Sequence, residues 1–423
     1  MQIIENSIVK EKLYIEKLDN GLTIMVIPKK DIQKKYIIWG THYGSIDNKF
    51  ISNGEEIEVP DGVAHFLEHK LFEQENGTNS LDTLSAFGAN PNAYTTTDHT
   101  AYHIEPTENL TESLDEFMNY IQHPYFTDEN VEKEKGIIGQ EITMYDDHPT
   151  WQVYLNALKC LYKENHVNLD TAGTIQTIKH INKDILYKCY NTFYHPSNIV
   201  LMAIGDFVPE EILEEIKKRL VKTENQGEIK RIYPEEPAEI NKTRIEKNMD
   251  ISIPLFILAF KDDVPNENIV KKHIAVEILL NMLIGKSTKT YKYLYEQGLL
   301  LTEPDIEYEY SKTYAYSMIS GQSRDPNKVV EIIKKEIEKL KRNNLDTEHF
   351  ERAKKMIYGE YIKEYNHISD IGRMFVSNYL KGINAFDYLE DFDQITPEYV
   401  EQVLKELFIE DRMAVSIVWN KKE

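Results

Sequence analysis

Hydrophobic and polar positions fall in short strand-like runs at the start of the chain and change to a helical period after Pro60. The runs LTIMVIP (22–28) and YIIWGTHYG (36–44), with Asn20-Gly21 as a turn, read as paired strands. From Pro60 onward Val63, Phe66, Leu71 and Phe72 recur at helical spacing, and Asp61 stands where an N-cap is expected. A second helix is expected over 78–87. NAYTTTDHTAYHI (92–104), rich in Thr and Tyr and broken near Thr97-Asp98, reads as a hairpin. Helices resume over 110–123 and 128–145.

SNIVLMAIGDF (197–207) is an apolar strand, and a charged helix follows it to about Val221. KTENQGEIKRIYPEEPAEINK (222–242) has two prolines, many charges and little periodicity, the signature of an interdomain linker. The second half offers a strand at 252–260, a helix through 273–283, strands between 306 and 321, long helices over 327–380 and a closing strand MAVSIVW (413–419). Both halves run strand, helices, strand over nearly equal lengths, which points to an internal duplication. The expected fold class is α+β with two similar domains, residues 1–221 and 246–423, joined by a linker over 222–245.

A chain of 423 residues exceeds what one core supports, in agreement with two domains. Its formal net charge of −22 and 71 acidic residues argue against a nucleic-acid partner, because phosphate binding needs concentrated Lys and Arg. Only Cys160 and Cys189 occur, which supplies neither a disulfide framework nor a thiolate metal cage and fits a reducing compartment. The first residues show no apolar targeting core, and no apolar run reaches the roughly 18 residues that span a bilayer. The cytoplasm is therefore the expected location, with no membrane association.

The chemistry is concentrated in VAHFLEH (63–69). On a helix His65, Glu68 and His69 share one face. Two neutral imidazoles four residues apart can close on one zinc ion, their ring nitrogens meeting about 3 Å apart. The glutamate precedes the second histidine, the inverse of the HExxH order, yet keeps the side of the helix from which it can reach water at a metal. Catalytic zinc takes three protein ligands and leaves one position open. NVEKEKGIIGQEITMY (130–145) offers Glu134 and Glu141, seven residues and two turns apart, on a face that Ile137 and Ile138 turn inward. Gly136 and Gly139 interrupt this helix at a cost of about 1 kcal/mol each, with close packing on the opposite side as the expected reason. His42, His123, His180 and His273 read as surface or satisfied core residues.

HFLEHKLF, GTNSLDTLSAFGANPNAYTTTDHTAYH, EKEKGIIGQEI and YHPSNIVLMAIGDF, in that order, resemble the inverted-motif zinc peptidases of the pitrilysin and mitochondrial-processing-peptidase group, M16. The likeness is to the short bacterial two-domain branch; it is strong over the first 210 residues and extends to the second half by size and element order. It implies two domains, each a mainly antiparallel sheet packed with helices, that make half of a clam-shell chamber. It implies a zinc-dependent endopeptidase with one Zn2+ per chain, held by His65, His69 and Glu141, with Glu68 as general base and Glu134 as a supporting carboxylate in the catalytic site. It places Asn92 and Ala93 on an edge strand that pairs with an extended peptide substrate. The alternative is a metal-retaining binding subunit that does not cleave.

The second half departs from the family pattern. Where most members carry an Arg and, seven residues on, a Tyr that hold substrate, YLYEQGLLLTEP (293–304) has Leu294 and Leu301. Family members pair as dimers whose facing unit supplies these donors, so the expected partner is a related M16-like chain, with a heterodimer favoured over a homodimer.

Overall fold

In the computed structural model, which describes residues 1–52, 54–264, 268–343 and 345–421, the first half supplies ten strands. They are β1 (Gln2–Asn6), β2 (Glu11–Lys17), β3 (Thr23–Pro28), β4 (Tyr36–Thr41), β5 (Lys49–Ser52), β6 (Glu55–Glu58), β7 (Asn92–Thr95), β8 (Thr100–Ile104), β9 (Ile199–Gly205) and β10 (Lys230–Arg231). Seven of them form one sheet in the order β1-β2-β3-β9-β4-β8-β7, and β10-β5-β6 form a small second one. The expected pairing of 22–28 with 36–44 is corrected: β9 lies between β3 and β4, parallel to the first and antiparallel to the second. IVLMAIG is apolar throughout and buried at every position, so it needs cover on both faces and a neighbour on both edges. The hairpin at 92–104 is present as β7 and β8, which leaves β7 at the sheet edge.

The helices of the first half are α1 (Val63–Lys70), α2 (Ser80–Ala86), α3 (Leu110–Gln122), α4 (Asp128–Asp146) and α5 (Pro149–Leu161), followed by shorter ones that include Lys183–Phe193. Ile24, Val26, Ile37, Trp39, Tyr102 and Ile104 of the large sheet share a core with Phe66 and Leu67 of α1 and Phe117 of α3.

The chain folds into two compact units: Met1–Ile142, Asp170–Tyr233 and Lys363–Ala385 make the first, and Thr143–Leu169, Pro234–Ile362 and Phe386–Glu423 the second. Each sequence half thus lends a helix to the other's unit. In the first unit Ile368–Lys381 packs against β4 and β9. Two glycines admit it: a Cβ on Gly40 would stand 2.3 Å from Val376 Cγ1, and one on Gly372 would stand 2.4 Å from the Tyr36 ring. Tyr379 then meets Thr23 Oγ1 at 2.6 Å, and Lys29 Nζ donates to the Tyr365 carbonyl at 3.1 Å.

In the second unit, β11 (Arg244–Met249), β12 (Leu255–Asp262), β13 (Asp305–Tyr310), β14 (Ala315–Gln322) and β15 (Met413–Asn420) form a sheet in the order β11-β15-β12-β14-β13. Its pairings run parallel, antiparallel, antiparallel, antiparallel, the same series as β3-β9-β4-β8-β7. The duplication expected from element order is therefore present in topology. Here α5 packs against β12 and β15, with Tyr154 Oη 2.7 Å from Tyr316 Oη. The two-domain α+β class holds. Among the described residues no helix is long and apolar enough to cross a membrane.

The segment read as a linker is tied down at both ends. In the first unit Arg231 pairs with Asp47 at 3.1 Å, and Asp47 also accepts from Tyr233 Oη at 2.7 Å and the Gly44 amide at 2.9 Å. In the second, Glu236 accepts from Lys261 Nζ at 2.6 Å and from the amides of Lys163, Glu164 and Asn165, while Lys261 also donates to the carbonyls of Pro237 and Glu239. Polar anchors of this kind leave no hydrophobic period to read.

Glu236 and Lys261 side chains are 9% and 6% exposed, so truncating one strands the other in a low-dielectric site. Glu236→Ala is expected to lower unfolding free energy by about 3 kcal/mol in a denaturant titration. A loss below about 1 kcal/mol, the range of a surface pair, would mean that the segment is held by something else.

Candidate metal centre

Helix α1 starts abruptly. Its N-cap is Gly62 at φ 91°, and a Cβ there would stand 2.5 Å from the Ala172 carbonyl oxygen, so both conformation and space require glycine. Asp61, expected as the cap, instead accepts from Asn48 Nδ2 at 2.7 Å. From this start, one face of the helix buries Val63, Phe66, Leu67 and Lys70, and another carries His65 and His69, whose ring centroids are 4.6 Å apart.

Helix α4 brings two carboxylates to these rings. Glu141 Oε1 is 3.7 Å from His65 Nε2, and Oε2 is 3.4 Å from His69 Nε2. One ligand atom from each of His65, His69 and Glu141 lies within 4.8 Å of the others, the spacing of donors around a single small cation. Two imidazoles and a carboxylate with a free side suit zinc. Burial, aided by the nearby His69, pulls the His65 pKa down to about 3, so its ring is neutral with a lone pair to give. Burial also works against charge on His69, but the hydrogen bond to Glu134 and the surrounding carboxylates outweigh it and raise its pKa.

Glu134 stands behind the pair, with Oε1 3.1 Å from His69 Nδ1 and Oε2 3.6 Å from Lys70 Nζ. A carboxylate on the far nitrogen fixes the ring and its tautomer, leaving Nε2 for a metal. Despite its burial, the bond from His69 and the charge of Lys70 hold the Glu134 carboxyl below its ordinary pKa. Glu68 faces the same space from α1. Burial raises its pKa to about 7, against the lowering effect of Thr95 Oγ1, which donates to Oε2 at 2.5 Å. A carboxylate with a pKa near neutrality is matched to proton transfer.

A cavity of about 370 Å³ opens on Glu68, His69 and Glu134 and is bordered by Phe72, Asn92, Ala93 and Ile137. Glu68, His69, Glu134, Asn92 and Ala93 thus line one cavity, and His65 and Glu141 join His69 in the donor cluster beside it. Asn92 and Ala93 lie on β7, whose outer edge has no strand beside it among the described residues. Thr95 was missed; its signal is the two-residue alternation that puts it on the face of Ala93. Lys70 was missed too, although it falls on the stripe of Val63, Phe66 and Leu67.

Two expectations for α4 need correction. Ile138 is buried but Ile137 is 46% exposed, because it sits on the cavity rim rather than in the core. A Cβ on Gly136 would meet nothing within 4 Å and one on Gly139 only Ile175 at 3.5 Å, so close packing does not account for these glycines. In the second unit Leu294 is fully buried and Leu301 is 37% exposed.

Residues 50–175 match the family model described as insulinase, peptidase family M16, and residues 180–357 match the M16 inactive domain. The chain is 38% identical to the uncharacterized zinc protease YmfH of Bacillus subtilis, with 99% of each chain covered. It is 31% identical to the chloroplastic stromal processing peptidase of Arabidopsis thaliana over 46% of this chain and 16% of that one. Among solved structures it is similar to an M16-like peptidase from Alicyclobacillus acidocaldarius, with a TM-score of 0.93 and 33% identity over 99% and 100% of the two chains. A Helicobacter pylori protease has the same fold, with a TM-score of 0.81 at 19% identity over 97% of this chain and 99% of that one.

The opposite shifts of the two histidines are open to test in metal-free protein. Between about pH 5 and 8 the His65 ring resonances should not titrate, while those of His69 should titrate above the ordinary 6.5. Two histidines titrating together near 6.5 in an NMR pH series would contradict these opposite shifts.

Proposed function

The chain belongs to the M16 peptidase family, and from that membership and the geometry of its site we propose that it is a zinc-dependent endopeptidase acting on peptides or small unfolded segments. The observation that carries this reading is the convergence of His65, His69 and Glu141 beside a buried Glu68, next to an unpaired sheet edge. His65 and His69 would hold one zinc ion through Nε2 and Glu141 through its carboxylate. When bound, zinc supplies Lewis-acid polarisation of a carbonyl and acidifies water.

The protein's own groups do the rest. Glu68 removes a proton from the attacking water and returns it to the leaving amine, one carboxylate serving as base and then acid. Thr95 donates to one Glu68 oxygen and so aims the other. The outer edge of β7 takes the substrate as an added strand through backbone hydrogen bonds, which favours loose sequence preference. Asn92 and Ala93 border the cavity at this edge. Cys160 and Cys189 are buried free thiols, which supports a reducing, cytoplasmic setting.

Cleavage of an unbiased peptide library, with and without a chelator, tests the reaction directly. Glu68→Gln should retain about one zinc per chain and lose about 10² to 10⁴ in kcat/KM, whereas His65→Ala, His69→Ala and Glu141→Ala should lose the metal. Undiminished turnover by Glu68→Gln would remove it from the mechanism. Zinc binding by the wild type with no cleavage of any library member would favour the binding-subunit alternative.

Strand addition makes its own prediction. Ala93→Pro takes away a backbone donor and should impair cleavage at unchanged zinc content, measured as kcat/KM alongside metal analysis. Unaltered cleavage would exclude β7 as the substrate strand.

We also propose that the active form is a heterodimer with a related chain, because buried Leu294 and apolar Leu301 offer substrate no donors. The chain alone should cleave weakly, and a paired subunit carrying Arg and Tyr should raise kcat/KM by about tenfold or more. Robust cleavage by a pure homodimer, unchanged on adding related chains, would exclude this.

A further inference from the structure

Lys70 is completely buried at the end of α1, on the stripe it shares with Val63, Phe66 and Leu67. An apolar side chain would fill that position without the desolvation cost of a charge. Its surroundings explain the lysine. Its Nζ bonds Glu73, three residues on, and lies 3.6 Å from Glu134 Oε2. The other oxygen of the same carboxylate is the one at His69 Nδ1, 3.1 Å away. The Glu134 carboxylate is therefore met at both oxygens, by a hydrogen-bonded imidazole at one and by an ammonium at ion-pair distance from the other. A carboxylate hydrogen-bonded at one oxygen can turn about that contact, and a cation beside the other oxygen disfavours the turn. Its negative charge also acts on Glu141, and a pocket holding the buried carboxylates of Glu68 and Glu134 beside the half-buried Glu141 needs positive charge inside it.

We propose that Lys70 is a positioning residue for the metal centre, holding the Glu134 carboxylate in the orientation that fixes the His69 ring with Nε2 toward the ligand position. Lys70 touches neither substrate nor metal and acts only through Glu134. This inference rests on the zinc-binding reading above. A partner bonded directly to a ligating imidazole, as Glu134 is, carries about 10- to 100-fold in metal affinity, which bounds what Lys70 contributes through it.

The experiment measures zinc affinity by competition with a chromogenic chelator, together with the unfolding temperature of the metal-free proteins. Lys70→Met, an unbranched side chain of similar length, should weaken zinc binding by about 10- to 100-fold. Lys70→Gln should do the same and serves if the first variant folds poorly. Glu73→Gln leaves the contact with Glu134 and should stay within about threefold of wild type. In a Glu134→Gln background, Lys70→Met should have less than about a twofold further effect, because the group it acts through is gone.

Full zinc affinity in both Lys70 variants would overturn the proposal, as would an equal loss on Lys70→Met with and without Glu134. So would a Glu73→Gln loss as large as that of Lys70→Met, which would make the Lys70–Glu73 pair the operative one. A purely structural lysine would lower the metal-free unfolding temperature and leave zinc affinity alone. Wild-type protein that takes up no zinc would defeat the zinc reading itself, whereas zinc-binding wild type with unaffected Lys70 variants defeats only this inference.

Discussion

Charge neutrality inside a small buried volume governs the first unit. Glu68, Glu134 and Glu141 come from two helices to the same pair of imidazoles, and two of the three are buried to less than a tenth of their surface. Carboxylates so placed repel one another and lose water, a cost no amount of surrounding hydrophobic packing repays. The pocket distributes that cost unevenly. Glu134 receives a lysine and an imidazole and stays ionised, Glu68 receives only a hydroxyl, which does not offset the burial that raises its pKa to about 7, and Glu141 faces two Nε2 atoms at the spacing of donors around a cation. In the proposed function one acidic cluster is thereby split into a support, a proton carrier and a ligand, by the neighbours each carboxylate is given.

The scaffold keeps these neighbours in register by rigid means. Gly62 lets α1 begin against the Ala172 carbonyl, β8 anchors β7 so that Thr95 meets Glu68, and α4 delivers Glu134 and Glu141 two turns apart. Each functional group thus sits on a helix or strand, and its position follows from backbone geometry.

The site was legible in the sequence because it is made of local spacings. His65, Glu68 and His69 within one helix, and Glu134 and Glu141 within another, need only the helical period to be placed on common faces. Non-local facts were harder. Nothing in LTIMVIP or YIIWGTHYG says that a strand from residues 199–205 inserts between them, since apolar periodicity reports burial and not order across a sheet. Lys70 and Thr95 are harder to find for a related reason: the period gives the face each lies on, but a lysine in a helix and a threonine in a hairpin are ordinary until the glutamates opposite are known. The segment 222–245 reads as a linker because its anchors, Arg231, Tyr233 and Glu236, are single polar contacts without a period.

The exchange of helices between the halves sets the order in which the protein can be completed as it is made. The large sheet has all its strands once residue 205 has left the ribosome, yet one of its faces waits for the helix Ile368–Lys381, which arrives when about nine-tenths of the 423 residues have been synthesised. Through that interval the face that Gly40 and Tyr36 present to the late helix is open, and the apolar surface around them is available to chaperones or to misassembly. The three residues proposed as metal ligands all lie within the first 141 residues, so they are synthesised long before the helix that covers this sheet.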